Sequence, residues 1–282
     1  MHNLLRLKNL TVEFFQNKQV IPAVKEANLE IKENEIVGLV GESGSGKTIT
    51  TLAITRILPS AARITSGEVI FEGIDLLKIQ EEQLREVRGK KIAYIFQEPT
   101  MFLNPIKTCG FQVAEAIITH QNTDKSRTFL RFRRTSSQGK VRDKFNARKK
   151  AIELLKQVRL SSPEEIFFDY PHQLSGGMNQ RVMIAQALAS NPKLLIADEP
   201  TTNLDVDTEK EILDLLLDLH ERIGFSCLFI THNLGLIKRL CSRVYVMYRG
   251  SIVEEGNLNK IFTTPQHEHT KALVEAFLKI GQ

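Results

Sequence analysis

Eight consecutive residues, GESGSGKT from Gly41 to Thr48, have the types and spacing that bind phosphate groups. They fit the pattern G-x-x-x-x-G-K-[ST]; the apolar stretch IVGLV precedes them, and a helical pattern follows as far as Pro59. Glycines allow backbone N–H groups to point inward at phosphates, and the amino terminus of a helix adds a partial positive charge. We therefore predict a nucleotide-binding loop in which Lys47 reaches the β- and γ-phosphates and the Thr48 hydroxyl binds Mg²⁺.

Two adjacent carboxylates, Asp198 and Glu199, end a second apolar stretch, LLIADEP. Because a buried carboxylate is costly unless a cation faces it, this pair favours a site over a structural role. Asp198 suits the Mg²⁺ shell, and Glu199 suits a group that orients or deprotonates an attacking water. The phosphate loop alone is compatible with kinases, GTPases, motors and transport ATPases, and the acidic pair favours nucleotide hydrolysis.

Short apolar runs indicate the elements that hold these residues in place. Five runs of strand length are typical of strands buried on both faces of a parallel sheet, which predicts an α/β domain: EIVGLV (35–40), KIAYIF (91–96), KLLIAD (193–198), SCLFIT (226–231) and RVYVMY (243–248). The stretch DTEKEILDLLLDLHERIG predicts a crossover helix, with Thr208 and Glu211 spaced as a capping box and Gly224 as its end. Alternation in LLRLKNLTVEFF and AVKEANLEIKENE predicts an antiparallel layer, and helical patterns between 101 and 190 predict an inserted helical subdomain.

Composition and charge limit the remaining function classes. With 282 residues, 42% of them hydrophobic, the chain is long enough for one large or two modest domains. Its three cysteines fit neither a disulfide framework nor a metal site and indicate a reducing compartment, and no apolar run predicts a membrane span or a secretory signal. The net charge of +5 comes from residues 121–150, which hold eleven Lys or Arg and two Asp. A solvated insertion is the favoured interpretation, and contact with anionic lipid is the alternative, ahead of nucleic acid.

The stretch LSGGMNQRVMIAQALASNPKLLIADEPTTNLDV, from Leu174 to Val206, resembles the ATP-binding-cassette (ABC) family. The motif LSGGxxxR, the acidic strand end and the turn at Leu204 and Asp205 stand in the order and spacing of that family. The resemblance implies an α/β P-loop NTPase fold, with a RecA-like parallel sheet core, an antiparallel β layer and an inserted helical subdomain. It also implies hydrolysis of ATP with Mg²⁺.

The resemblance extends the site beyond the phosphate loop. The helix that opens at Ser175 binds, in this family, the phosphate of ATP held by a facing subunit, so each site is completed on dimerisation. Gln97 in YIFQEP and His232 in FITHN resemble, respectively, the amide that senses Mg²⁺ and attacking water and the histidine that bonds the γ-phosphate. For stacking on adenine, Phe14 is predicted and Phe15 is the alternative. The full predicted set comprises catalytic Glu199, His232 and Gln97; metal-binding Thr48, Gln97 and Asp198; and nucleotide-binding Phe14, Gly41, Glu42, Ser43, Gly44, Ser45, Gly46, Lys47, Thr48, Ile49, Ser175, Gly176, Gly177 and Gln180.

Several motifs resemble one branch of the family, the oligopeptide and dipeptide importers, with nickel importers close by. They are VGESGSGKT, IFQEPTMFLNP, YPHQLSGGMNQR, LLIADEPTTNLDV, FITHNLG and the tail GSIVEEGNLNKIFTTPQHEHTKAL, in which Glu268-His269 replaces the usual Pro-Tyr. The resemblance implies a peripheral ATPase on the cytoplasmic face of the membrane that energises peptide uptake. The alternatives are an importer of nickel or another small solute and, in a different class, a soluble ABC ATPase acting on DNA or ribosomes.

The resemblance also implies partners and a division of the chain. The partners are a second ABC ATPase subunit, two integral membrane permease subunits and an extracytoplasmic peptide-binding protein, with no nucleic acid expected. A heterodimer with a related ATPase is predicted, and a homodimer is the alternative. The predicted segments are 1–100, the first part of the ATPase core with the β layer; 101–190, the helical subdomain with its basic insert; 191–255, the second part of the core; and 256–282, a short C-terminal extension.

Overall fold

The computed structural model describes residues 3–16, 19–121 and 137–280. The strands of this part of the chain are β1 (Asn3–Gln16), β2 (Gln19–Lys32), β3 (Ile36–Val40), β4 (Ala62–Phe71), β5 (Ile74–Asp75), β6 (Ile92–Ile95), β7 (Leu194–Asp198), β8 (Ser226–Thr231), β9 (Arg243–Tyr248) and β10 (Ser251–Asn257). Its α-helices are α1 (Lys47–Ile54), α2 (Glu81–Val87), α3 (Pro99–Phe102), α4 (Cys109–Gln121), α5 (Ser137–Gln157), α6 (Pro163–Ile166), α7 (Gly176–Leu188), α8 (Val206–Ile223), α9 (Leu234–Leu240), α10 (Leu258–Thr263) and α11 (Glu268–Ile280).

The chain divides into two compact units, each built from separate stretches of sequence. The first unit comprises Met1–Arg88, Lys193–Glu199 and Gly224–Gln282, and the second comprises Gly89–Pro192 and Pro200–Ile223. The segment boundaries expected from the sequence stay a prediction. Among the described residues, no helix combines the length and the apolar character needed to cross a membrane.

The parallel sheet of the first unit carries the predicted phosphate loop. Its strands lie in the order β10-β9-β3-β8-β7, and all of them are parallel except β10, which pairs antiparallel with β9. Every residue of β3, β7 and β8 is buried, because side chains on both faces of these strands pack into the core. Four of the predicted strand runs, 35–40, 193–198, 226–231 and 243–248, are confirmed. Because β3, β7 and β8 run in the same direction, the residues that follow them meet at one edge of the sheet.

A second sheet of the first unit is antiparallel, with the strand order β2-β1-β4-β5. Along β1, Leu5, Leu7, Leu10 and Val12 are buried while residues between them face outward or are half-buried. This alternation is interrupted by shifts of register between β1 and both of its neighbours. The predicted antiparallel layer is therefore confirmed.

The second unit is mainly helical and contains one described strand, β6, which corresponds to the predicted run 91–96. Helix α7 is buried along most of its length, since its apolar side chains pack against α3, α4, α5 and α8. Of the basic segment 121–150, residues 122–136 lie outside the described residues, whereas residues 137–150 belong to α5.

The predicted capping box of α8 is wrong. The helix begins at Val206, and the carboxylate of Asp205 accepts hydrogen bonds from the backbone N–H (2.9 Å) and the hydroxyl (2.7 Å) of Thr208. Glu211 instead accepts a hydrogen bond from Arg181 of α7 (2.8 Å). Asp205 satisfies a free N–H of the first helical turn from outside the helix, so Thr208 already lies within the helix and does not cap it.

Candidate functional site

The phosphate-binding loop connects β3, which lies between β9 and β8 in the parallel sheet, to α1, which begins at Lys47. Two of its glycines are required by close packing. A Cβ added at Gly41 would lie 2.1 Å from the carbonyl oxygen of Met247, and one at Gly46 would lie 2.6 Å from that of Ala23. Gly46 also has a φ of 106°, a left-handed backbone conformation that side chains disfavour. The loop therefore requires glycine at both positions.

Lys47 is folded over the loop. Its side chain is buried, and its Nζ donates to the carbonyl oxygens of Gly41 (2.7 Å) and Glu42 (2.8 Å). Burial lowers the pKa of Lys47, and the negative charges of Glu199, Asp198 and Glu42 oppose that shift. Because an ammonium group has three N–H donors, one is left for a phosphate oxygen.

Two features of the loop fit a bound phosphate. The hydroxyl of Ser45 is buried and has no hydrogen-bond partner among the described residues, although buried polar groups are normally paired. Gly44 has a φ of 79°, and nothing lies within 4 Å of the position that its Cβ would take. An anion held in the loop would therefore find open space at Gly44 and a polar group without a partner at Ser45.

Asp198 and Thr48 form an oxygen-rich pair beside the loop. The Thr48 hydroxyl forms a hydrogen bond with the Asp198 carboxylate at the end of β7. Burial raises the pKa of Asp198, as does the charge of Glu199, whereas Thr48 and Lys47 act in the opposite direction. Mg²⁺ prefers oxygen ligands and commonly takes one or two carboxylates together with phosphate oxygens. The donor set therefore fits this ion.

Glu199 follows Asp198 and adopts an unusual backbone conformation. Its φ is 47°, in the left-handed region, and its N–H donates to the carbonyl oxygen of Ile230 on the neighbouring strand β8 (3.0 Å). The carboxylate lies 3.3 Å from Nδ1 of His232, which follows β8. A non-glycine residue with positive φ is strained and persists where its surroundings impose it, often at functional sites. The strand ends thus hold Lys47, Asp198, Glu199 and His232 in the first unit.

The predicted Ser-Gly-Gly terminus lies in the second unit. Ser175 is the N-cap of α7, with its hydroxyl accepting a hydrogen bond from the N–H of Met178 (3.3 Å). Ser175 and Gly176 are exposed, and a Cβ at Gly177 would lie 2.6 Å from Cγ2 of Thr208. The terminus is accordingly open to solvent at its start and closely packed one residue later.

Three other predicted residues differ in their surroundings. Gln97 is exposed and follows β6 in the second unit. Gln180 is buried, and its Nε2 has no hydrogen-bond partner among the described residues, so its assignment to nucleotide binding stays a prediction. Ile49 lies half-buried in the first turn of α1.

The two candidate aromatics for adenine stacking stand at the end of β1. Phe14 is half-buried and pairs with Ile21 of β2 and Ala62 of β4. Phe15 is 42% exposed, and the guanidinium of Arg63 lies 5.5 Å from the centre of its ring. The assignment of Phe14 stays a prediction.

Comparison with known proteins identifies the family. Residues 24–202 match the family described as ABC transporter. The chain belongs to the ABC transporter family. Similar proteins in this family include a probable peptide ABC transporter ATP-binding protein, y4tR of Sinorhizobium fredii, which is 44% identical over 97% of this chain and 76% of its own length. The dipeptide transport ATP-binding protein DppD of Escherichia coli is 41% identical over 99% of this chain and 80% of its own length.

Solved structures of the ABC family are also similar to this chain. Two dimeric structures of the ATP-binding cassette MJ0796, one of them described as a post-hydrolysis state bound to ADP and Pi, have a TM-score of 0.73 to this chain. They are 32% and 33% identical and cover 90% of this chain and 98% of their own chains. The predicted fold, an α/β ABC ATPase domain, is confirmed.

Two features of the site were missed by reasoning from the sequence. The first is the left-handed backbone conformation of Glu199, which a glutamate in the sequence does not indicate. The second is His269, which lies near Glu42 of the phosphate loop. Its only signal was that Glu268-His269 departs from the usual tail of the importer branch.

Proposed function

We propose that this chain hydrolyses ATP to energise the uptake of peptides through separate membrane subunits. The observation that carries the ATPase part is the convergence of Lys47, Asp198, Glu199 and His232 at the carboxyl ends of β3, β7 and β8. The peptide part is supported by relatives of more than 40% identity that are named for peptide, oligopeptide or dipeptide transport.

Each site residue of the first unit has a role that follows from its chemistry. The loop N–H groups and Lys47 bind the phosphates, and Thr48 and Asp198 would hold Mg²⁺, which supplies charge neutralisation on the phosphate oxygens. Glu199 orients or deprotonates the attacking water, and His232, 3.3 Å from it, both fixes that carboxylate and offers a second nitrogen to the γ-phosphate. For Gln97, the role of sensing Mg²⁺ and attacking water rests on the family resemblance alone.

The exposed start of α7 supports a dimer as the working form. Ser175 and Gly176 present a helix amino terminus to solvent, and such a terminus favours an anion. We assign it to the ATP of a facing cassette, a related ATPase in a heterodimer. The further partners are two membrane permease subunits and an extracytoplasmic peptide-binding protein, which places the chain peripherally on the cytoplasmic face of the membrane.

The test is uptake of labelled di- to oligopeptides by cells that carry the wild-type chain, no chain, or Ser175→Arg. The added side chain at Ser175 would obstruct the phosphate of the partner's ATP and leave this chain's own loop intact. We expect loss of peptide uptake without the chain and with Ser175→Arg, and normal uptake of free amino acids. Glu221→Arg, which adds the same side chain at an exposed position of α8, serves as the control and should transport normally.

Two other results would redirect the assignment. Normal peptide uptake together with lost nickel accumulation would assign the chain to a nickel importer. Normal uptake of both solutes, with ribosomes or DNA purifying with the chain, would contradict a role in transport.

A further inference from the structure

The segment before α11 is anchored to the end of the parallel sheet. Glu254 of β10 is buried, and its carboxylate accepts hydrogen bonds from the backbone N–H groups of Gln266 (2.8 Å) and His267 (3.0 Å). Thr270, in the first turn of α11, is buried as well. These contacts fix the start of α11 within the first unit.

His269, between these anchored residues, contacts the last residue of β9 and approaches the phosphate loop. Its ring stacks on that of Tyr248, with the centres 4.1 Å apart and an interplanar angle of 26°. The side chain is 8% exposed, and Nδ1 lies 4.0 Å from the carboxylate of Glu42. That separation exceeds a direct hydrogen bond, and because the side chain of Glu42 is exposed, a small rotation can bring its carboxylate within reach of Nδ1.

The carboxyl end of β9 also packs against the phosphate loop. The carbonyl oxygen of Met247 is the atom that excludes any side chain at Gly41. Two residues after Tyr248, Gly250 donates its N–H to the carbonyl oxygen of Ser45 (2.9 Å). The loop is therefore held on one side by the strand on which His269 is stacked.

Glu42 is the residue through which His269 can act on nucleotide binding. The carbonyl oxygen of Glu42 accepts hydrogen bonds from Nζ of Lys47 (2.8 Å) and from the N–H of Ser45 (3.1 Å). A shift of Glu42 would therefore move an acceptor that holds Lys47 and change the curvature of the loop.

We propose that His269 is a positioning residue for the phosphate-binding loop, acting through Glu42 from its fixed place on Tyr248. The inference rests on the proposed role of this loop in binding ATP. Burial and the neighbouring His267 lower the pKa of His269, and the charge of Glu42 opposes them; the net lowering agrees with a neutral ring that directs a polar nitrogen at the carboxylate. Its effect is on nucleotide affinity, because His269 contacts neither Asp198 nor Glu199 in the geometry described.

The test is equilibrium binding of a fluorescent ATP analogue with Mg²⁺ to the full chain, together with ATP turnover at saturating ATP. His269→Phe keeps an aromatic ring on Tyr248 and removes both ring nitrogens, and Glu42→Ala removes the carboxylate partner. Each should raise Kd about two- to five-fold, the range measured for partly exposed polar pairs, and the double variant should raise it no further than the weaker-binding single variant. His269→Asn, which keeps an N–H near the position of Nδ1, should bind more tightly than His269→Phe.

Turnover at saturating ATP and the unfolding midpoint should stay near the wild-type values in His269→Phe. Glu268→Gln changes the exposed neighbour of His269 and should alter none of these quantities. A wild-type Kd in His269→Phe, or additive effects in the double variant, would overturn the inference. Should His269→Phe fail to fold, the comparison uses Glu42→Ala and His269→Asn. Wild-type Kd values in both of these variants would then overturn the inference.

Lys47→Ala is measured in parallel as a test of the loop itself. If it binds the analogue as tightly as the wild type does, the assignment of the loop to ATP binding is wrong.

Discussion

Lys47 and Asp198 carry opposite charges, and burial acts against both of them. The pKa of Lys47 is lowered by burial and that of Asp198 is raised by it, so each charged form is disfavoured by the surroundings of the site. Their mutual attraction opposes the effect only in part. A bound polyphosphate would give Lys47 a stronger partner, and a divalent cation would do the same for Asp198, which explains in physical terms why this pair suits a nucleotide site.

Most of the site residues could be predicted from the sequence because their spacing is set by the backbone. The pattern that contains Lys47 and Thr48 requires consecutive residues, and Asp198, Glu199 and His232 each stand at a strand end that apolar runs make visible. The strained backbone at Glu199 could not be predicted, because it depends on a hydrogen bond to Ile230, which is distant in sequence.

At the end of β1, Phe14 is expected to contribute more to ATP binding than Phe15. Stacking of a base on an aromatic ring contributes about 1–3 kcal/mol, so Phe14→Ala should weaken ATP binding by roughly five-fold or more. Phe15→Ala removes the same ring one residue away and is the matched control. Equilibrium binding of ATP to both variants checks the assignment, and a larger loss in Phe15→Ala would reverse it.

Among the helices, the start of α8 shows where sequence patterns compete. The spacing of Thr208 and Glu211 fits a capping box, in which Glu211 would accept a hydrogen bond from the N–H of Thr208. Asp205, three residues before Thr208, has a carboxylate that accepts from this N–H instead. Glu211 was free to pair with Arg181, a contact between two helices that are distant in sequence. Local spacing could therefore predict the helix and its length, whereas the identity of its cap depended on which of two suitable residues lay outside the first turn.

The cap of α8 can be tested with two variants that remove the same charge. Asp205→Ala removes both the charge and the hydrogen bonds to Thr208, whereas Asp207→Ala removes only a charge of the first turn. We expect Asp205→Ala to lower the urea midpoint of unfolding more than Asp207→Ala does. Equal midpoints would show that the Asp205 carboxylate contributes to the helix only through its charge.

The anchor at Glu254 predicts a specific pH dependence of stability. Burial alone would raise the pKa of Glu254, but the hydrogen bonds from the N–H groups of Gln266 and His267 oppose it. Together with smaller contributions from Thr270 and Lys260, they bring the pKa below its ordinary value of 4.5. A carboxyl whose pKa is lowered on folding stabilises the protein fully above its unfolded pKa and loses that contribution as pH falls through its folded pKa.

The comparison of wild type with Glu254→Gln isolates this contribution. The difference in the free energy of unfolding should be constant from neutral pH down to about 5 and should shrink as the solution is acidified further. Urea unfolding over this pH range measures it, with exposed Glu255→Gln as the control. If the difference in the free energy of unfolding stays constant on acidification, the hydrogen bonds of Glu254 do not depend on its charged form.

For the molecule as a whole, the fold could be predicted from two kinds of periodicity. Runs of consecutive apolar residues indicated the buried parallel strands, and alternation indicated the antiparallel sheet, because the two sheets bury their strands on two faces and on one face, respectively. Helical patterns indicated one inserted segment, whereas the membership of Pro200–Ile223 in the second unit depends on contacts between residues distant in sequence, which no local pattern contains.

ATP hydrolysis by this chain is expected to depend on Glu199, at a site that Lys47 helps to form. The decisive measurement compares Glu199→Gln with the wild type for ATP binding by the full chain and for ATP turnover by the complex that purifies with it from its own membranes. We predict that ATP binding is kept and that turnover falls by about 100-fold or more, as on loss of a general base. Glu255→Gln, the same chemical change at an exposed carboxylate, should turn over normally. Near-normal turnover in Glu199→Gln would contradict the role assigned to this carboxylate and, with it, the proposed mechanism.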